Sequence, residues 1–306
     1  MKICVVGLGS IAKRHIKNIR KLYADVTIDI LRHTVSSVHQ DEDYDEFGRI
    51  VYSDRDLANK YDAIFITNPT TMHIDTLFGL IDRTDAFFIE KPLRPFGSKK
   101  DDIDGLPKNK IYYVACPLRY TQIIRYLKDN IDPKKVLGMR AMSSSYLPDW
   151  RPGTDYSKCY SARKDLGGGV AADLIHEWDY ISYLIGKPDK VHTVQRKLSG
   201  LNLDVEDIAL YIGEYADKLV EVHLDYFGRQ TLRDLYVFME DETVYCDLIK
   251  NTITNMKKGE TIKFGEERDD YQIAELKHFF DITQGKIVND NSAFEAERLM
   301  RLLENE

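Results

Sequence analysis

The sequence predicts two domains: a doubly wound α/β domain with a mainly parallel sheet over residues 1–117, and an α+β domain with a large, mostly antiparallel, open-faced sheet over 118–306. Three observations predict this. Short apolar runs in the first third are separated by amphipathic segments, a glycine-rich turn joins the first run to the first such segment, and beyond about residue 117 the segments lengthen and alternate polar with apolar. Runs apolar at every position suit parallel strands covered on both faces by helices, whereas alternation suits strands with one face on a core and one in water. A strand is expected over 2–6 and a helix over 10–23, where Ile11, His15, Ile19 and Leu22 recur at helical spacing. Strands over 26–31, 62–67, 86–89 and 110–115 follow, with a helix end at 56–60 and a helix over 74–81 among them. The second domain is expected to hold strands over 136–146, 190–198, 206–215, 218–227, 233–239 and 243–249. Its helices are expected over 121–130, 170–185, 271–283 and 292–303, the last packing back near the first domain.

Composition narrows the function classes. With 306 residues, 43% of them hydrophobic and 30% charged, the chain is far too apolar for disorder and long enough for a full core. Its 43 basic against 50 acidic residues give a net charge of -7, which argues against a large nucleic-acid footprint. The apolar runs are strand-sized, well short of the about 20 residues a membrane span needs, so neither a membrane nor an export signal is expected. Cys4, Cys116, Cys159 and Cys246 form no C-x-x-C pair, and no histidines stand at H-x-H or H-E-x-x-H spacing. No catalytic metal or disulfide framework is therefore expected, and a reducing cytoplasm fits.

Between the first strand and the first helix stands Gly7-Leu8-Gly9-Ser10-Ile11-Ala12, a G-x-G-x-x-A turn. Small residues are required there: Gly7 for the tight turn, Gly9 so that backbone can approach a pyrophosphate, and Ala12 for close packing of helix on strand. This is the fingerprint of a Rossmann-type dinucleotide site. An NAD-selective site usually offers a carboxylate at the end of the second strand, about 20 residues on, to accept from the ribose 2′-hydroxyl. Here that strand ends Leu31-Arg32-His33-Thr34, with no acid. A 2′-phosphate suits the planar guanidinium of Arg32, helped by Thr34, Ser36 or Ser37, so NADP is favoured over NAD.

Asn68-Pro69-Thr70-Thr71-Met72-His73 follows one predicted strand and Glu90-Lys91-Pro92-Leu93 the next; further on, Leu166-Gly167-Gly168-Gly169 leads into Val170-Ala171-Ala172-Asp173-Leu174-Ile175-His176-Glu177. With the glycine turn, these motifs resemble the Gfo/Idh/MocA family, that of glucose-fructose oxidoreductase and inositol dehydrogenase, along essentially the whole chain. The resemblance implies a lysine beside the nicotinamide, here Lys91, and a helix opened by the glycine triplet that carries Asp173 and His176 into the active site. It also implies cofactor contacts from Asn68, Pro69, His73 and Glu90, and a homodimer or homotetramer formed through the second sheet. Many relatives space the pair as D-x-x-x-H, so whether His176 or Glu177 faces the substrate is left open. Independently of the family, Asp173, His176 and Glu177 at i, i+3 and i+4 would share one face of the helix expected over 170–185. Hydride transfer between a nicotinamide and a carbinol carbon must be coupled to movement of the hydroxyl proton. His176 suits the general acid/base role, Lys91 holding the hydroxyl and sharing the proton, and Asp173 orienting or balancing them.

The substrate candidates lie in the segment before the glycine triplet. Arg151, Arg163 and Lys164 suit a carboxylate or phosphate, while Tyr146, Trp150 and Tyr156 suit the face of a sugar. Arg119 and Tyr120, at the crossover between domains, are further pocket candidates, and Glu177 joins them. This loop resembles a subset of the family tied to bacterial surface-sugar biosynthesis, which implies a sugar or nucleotide-sugar substrate. Two alternatives stay open: a non-catalytic dinucleotide-binding sensor, and a lyase or glycosidase that oxidises transiently and retains its cofactor.

Overall fold

The computed structural model describes residues 1–32, 47–98 and 103–304. The chain divides into two compact units. The described residues of Met1–Arg94, Ser98–Ala115 and Gln272–Ala296 form one, and those of Pro95–Gly97, Cys116–Tyr271 and Glu297–Glu306 form the other.

The first unit is built on six parallel strands in the order β3-β2-β1-β4-β5-β6: β1 (Lys2–Val6), β2 (Thr27–Leu31), β3 (Arg49–Val51), β4 (Ala63–Ile66), β5 (Ala86–Ile89) and β6 (Ile111–Val114). Their residues are almost all buried, as expected of a sheet covered on both faces. Helix α1 (Ser10–Leu22) lays Ala12, Ile16 and Ile19 on this sheet, and α2 (His73–Gly79) follows β4. The expected helix end near 56–60 is instead a single 3-10 turn, Asp54–Asp56, and β3 was not foreseen, because three residues carry too short a pattern to read. Part of the core comes from far along the chain. Helix α6 (Arg268–Thr283) supplies Leu276, Phe279 and Phe280, and the Phe279 ring stands edge-on to Phe65 at 5.6 Å and to Phe88 at 5.3 Å. Asn291 then straps the edge of β6, taking the Val114 amide on its carbonyl at 2.9 Å and donating its side-chain amide to the Val114 carbonyl at 2.6 Å.

The second unit carries an eight-stranded sheet, ordered β14-β13-β12-β11-β7-β10-β9-β8. Its strands are β7 (Val136–Tyr146), β8 (Lys190–Arg196), β9 (Ile208–Glu214), β10 (Leu219–Asp225), β11 (Phe227–Met239), β12 (Thr243–Asp247), β13 (Thr252–Asn255) and β14 (Glu260–Lys263). All pairings are antiparallel except β7 with β10. One face packs beneath α4 (Val170–Asp173) and α5 (His176–Ile185), the latter flanked by α3 (Gln122–Asn130), and the fully buried Trp178 of α5 meets Tyr211 edge-on at 5.8 Å. Gly213 lies directly under that indole, where a methyl group would collide with it. The other face leaves Val194, Leu210, Ile212 and Phe238 exposed.

The helix expected over 170–185 is two helices, α4 (Val170–Asp173) and α5 (His176–Ile185), because the buried Leu174 leaves helical geometry at φ -103, ψ 26. A last helix, α7, spans Ala293–Leu303. Among the described residues no helix is long and apolar enough to cross a membrane.

Candidate cofactor and substrate sites

In the first unit the sequence turns sharply after β1. The Gly7 amide donates to the Leu31 carbonyl at 2.9 Å, its φ of 91° lies in the left-handed region, and a side chain there would press on the Asn68 backbone at 3.0 Å. Only glycine meets both demands. Gly9 is the residue before α1; nothing lies within 4 Å of where its Cβ would stand, no side chain caps the helix, and no acid occupies the first turn, while Arg20 and Lys21 stand in the last. Ser10 is exposed, Ile11 half-buried, and Ala12 buried against the sheet. An uncapped N-terminus facing open space suits a pyrophosphate, whose oxygens accept from first-turn amides. Arg32 follows β2 and is held by its amide on the Val51 carbonyl at 2.9 Å, whereas His33 and the neighbouring Thr34, Ser36 and Ser37 lie outside the described residues.

The loops after β4 and β5 lie at the same C-terminal edge of the sheet as this turn, on adjacent strands. Pro69 is exposed there, and Asn68 donates to the Thr76 hydroxyl at 2.8 Å. Two residues expected to touch the cofactor do other work. His73 is 1% exposed, with Nδ1 at 3.0 Å from the Pro92 carbonyl and Nε2 at 2.9 Å from the Asn68 carbonyl. Burial pulls its pKa down, opposed by those carbonyls and by Glu90. The Glu90 carboxylate turns to α1, where Oε1 meets His15 Nε2 at 2.6 Å. Burial raises the Glu90 pKa, but His15, with the charges of Lys91 and His73, outweighs it and holds the group below the ordinary carboxylate range. Lys91 itself is half-buried, and its peptide bond to Pro92 is cis.

In the second unit the glycine triplet docks on the preceding loop. The Gly168 amide donates to the Arg163 carbonyl at 2.9 Å and the Gly169 amide to the Ser161 carbonyl at 3.2 Å, and a Cβ at Gly168 would overlap the Tyr160 carbonyl. Gly169 has φ 125°, and a side chain there would strike the Glu206 carboxylate, which accepts from the Ala171 amide at 3.1 Å at the start of α4. Burial pushes the Glu206 pKa up.

Asp173 closes α4 and accepts from the Tyr226 hydroxyl at 2.8 Å. Tyr226 is fully buried, its pKa pushed well up by burial and by Asp173. Trp150 stands edge-on to the same ring at 5.4 Å and donates its indole N–H to Ser145 at 2.9 Å. Tyr226 thus joins Asp173 to the aromatic loop. Sequence reasoning missed it, although it directly follows the alternating run of β10, where an inward residue is due.

His176 opens α5 half-buried, but the break at Leu174 separates it from Asp173, so the three polar residues do not share one helix face. Glu177, the further pocket candidate, is 0% exposed, and its Oε1 lies 2.8 Å from Arg233 Nε. Arg119 is likewise committed, its guanidinium gripping the buried Asp179 carboxylate at 2.6 to 3.0 Å and standing 5.0 Å from the Tyr183 ring. Tyr120 is half-buried beside it in the chain. In the loop, Arg229 stands over the Tyr146 ring at 3.8 Å, and the Tyr156 hydroxyl accepts from the Asn202 amide at 2.9 Å. Arg151 and Lys164 are exposed, while Arg163 is exposed and paired with Asp165, two residues on. Among the described residues no cluster of histidine, cysteine or carboxylate side chains is arranged to hold a metal ion.

Residues 1–101 match the family model GFO_IDH_MocA, described as an oxidoreductase family with an NAD-binding Rossmann fold. This stretch is similar to the NAD-binding domain of that oxidoreductase family. Solved structures extend the likeness of fold over the whole chain. UDP-N-acetylglucosamine 3-dehydrogenase GnnA from Acidithiobacillus ferrooxidans superposes with TM-score 0.79 at 17% identity, covering 100% of this chain and 96% of that one. Levoglucosan dehydrogenase in complex with NADH gives 0.81 at 15% identity, covering 100% and 97%. The WlbA dehydrogenase from Bordetella pertussis, in complex with NADH and UDP-GlcNAcA, gives 0.79 at 15% identity, covering 99% and 94%. No curated protein matches the chain by sequence.

Proposed function

We propose that the protein transfers a hydride between NADP(H) or NAD(H) and a carbinol or carbonyl carbon of a sugar, nucleotide-sugar or similar polyol. The observation that carries this reading is the common edge of the parallel sheet in the family-matched segment. The Gly7 turn, the Asn68 loop and Lys91 follow β1, β4 and β5, adjacent strands next to the point where the strand order reverses, and there open α/β sheets bind dinucleotides. The amides of Ser10, Ile11 and Ala12 and the backbone of Gly9 would hold the pyrophosphate, with Asn68 and Pro69 lining the path toward Lys91. When bound, the nicotinamide supplies the hydride acceptor or donor.

The chain's own residues manage the proton. In this reading His176 is the general acid/base, and Lys91 holds the substrate hydroxyl and shares its proton. Asp173, steadied by the Tyr226 hydroxyl, keeps a negative charge available to balance them. Trp150, Tyr146 and Tyr156 supply sugar-stacking faces, and Arg151 and Lys164 the charge for a phosphate or carboxylate. A sugar substrate is supported by two of the structural relatives, UDP-N-acetylglucosamine 3-dehydrogenase and levoglucosan dehydrogenase. The exposed apolar row Val194, Leu210 and Ile212 supports self-association through the outer sheet face as a homodimer or a tetramer of dimers.

NADP preference is assigned to Arg32. Thermal melting with each cofactor tests this, since a ligand bound only by the folded state raises Tm. NADP(H) is expected to raise Tm more than NAD(H) at equal concentration, and Arg32→Glu to reverse the order. Equal shifts in the native protein would overturn the assignment.

A further inference from the structure

We propose that His15 and His73 are positioning residues that clamp Lys91 from its two chain neighbours. The inference rests on the reading of Lys91 given above. The residue before Lys91 is held through its side chain, by Glu90 Oε1 at 2.6 Å from His15 Nε2. The residue after it is held through its backbone, by the Pro92 carbonyl at 3.0 Å from His73 Nδ1. Both histidines are 1% exposed, and the contact with the Pro92 carbonyl is buried, while Glu90 keeps 14% of its side chain exposed.

The chemistry of each ring sets its part in the clamp. His15 lies against Phe88 at 5.0 Å and Phe65 at 6.0 Å, and its Nδ1 is buried with no hydrogen-bond partner. Because the Glu90 carboxylate only accepts, Nε2 carries a proton and donates it in this contact. The other His73 nitrogen lies 2.9 Å from the Asn68 carbonyl beyond β4, so the ring stands between two loops and, when neutral, donates its single N–H to one of the two carbonyls. With the Glu90 amide donating to the Ile66 carbonyl at 2.9 Å, the chain on both sides of Lys91 is tied to β4, to the loop after it and to α1. His15 also lies on the helix whose N-terminus is assigned to the pyrophosphate, so one rigid element holds both the cofactor's charge and the base of the Lys91 loop. A catalytic amine displaced by about 1 Å can lose about 100-fold in rate, which is the scale of effect a clamp controls.

The test measures Lys91 directly, by acetylating the folded protein with acetic anhydride and reading the rate at Lys91 against Lys110 and Lys128 by peptide mass spectrometry. His15→Leu and His73→Leu are each expected to raise the Lys91 rate about tenfold, since a loosened loop populates openings in which the amine meets the reagent, with the reference lysines unchanged. In turnover both are expected to lower kcat about 100-fold with the cofactor KM near its original value. Should a leucine variant fail to fold, His15→Gln and His73→Asn carry the same question. The glutamine can still donate to Glu90, and the asparagine, whose Nδ2 takes the place of Nδ1, to the Pro92 carbonyl, so each is expected to label as the native protein does. Unchanged Lys91 labelling in a folded leucine variant, or faster labelling in His15→Gln or His73→Asn, overturns the clamp, whatever turnover shows. Faster labelling in the leucine variants of a protein that turns over no sugar supports the clamp and sinks the proposed function instead.

Discussion

Asp29 sits in the middle of β2, 1% exposed, and is nonetheless charged. Burial alone raises its pKa, but the bidentate hydrogen bonds of Arg49 at 2.7 and 3.0 Å, the Tyr61 hydroxyl at 2.6 Å and the charges of Arg49 and Lys2 overcome it and bring the pKa to about 2. A carboxylate whose pKa falls on folding stabilises the fold fully above its unfolded value of 3.8, and the contribution is lost as pH falls toward 2. The shift corresponds to a stabilisation on the order of 2 kcal/mol at neutral pH. Asp29→Asn is expected to lose about that much in urea unfolding at neutral pH and to flatten the acid limb of the stability curve. An acid limb that keeps its slope in the variant would place the effect on other groups.

At the scale of elements, the turn from β1 into α1 separates two uses of glycine. Gly7 is required by its φ of 91° and by the Asn68 backbone, whereas Gly9 faces open space. Gly9→Val is therefore expected to leave Tm without ligand nearly unchanged while abolishing the rise in Tm with cofactor; an equal rise in native and variant protein would mean the dinucleotide binds elsewhere. This turn was legible in the sequence because its chemistry is local, as were β7, whose predicted bounds the structure reproduces, and Lys91 at the end of β5. What could not be read depended on partners distant in sequence. The break between α4 and α5 follows from burial of Leu174 and Ile175, with Asp173 bound to Tyr226 and Glu177 to Arg233, and a helical wheel carries none of that. His73 and Glu90 flank the loops expected to meet the cofactor, but their contacts with Pro92 and His15, 19 and 75 residues away, could not be read from the sequence. The hairpin β13–β14 escaped notice because all four residues of β14 are exposed, leaving no alternation to detect.

For the whole molecule, continuity in sequence and compactness in space part company. A boundary near residue 117 is expected from the change of pattern, but Gln272–Ala296 clusters with the first unit, where Leu276, Phe279 and Phe280 complete its core and Asn291 straps β6. A fragment of residues 1–117 is thus expected to lack cooperative unfolding in urea and to bind a hydrophobic dye, since losing one large buried aromatic alone costs about 3–5 kcal/mol. Cooperative unfolding of that fragment would show that the returning segment is dispensable.

The central claim is that the family-matched domain holds a nicotinamide cofactor against Lys91 for hydride transfer. It is tested most directly by following nicotinamide absorbance with UDP-sugars and free sugars in the native protein and in Lys91→Ala, with cofactor affinity measured alongside. The account predicts substrate-dependent reduction by the native protein, loss of about two or more orders of magnitude in kcat for the variant, and cofactor binding retained in both. A variant that turns over as fast as the native protein, or a native protein that binds cofactor and reduces it with none of these substrates, would contradict it.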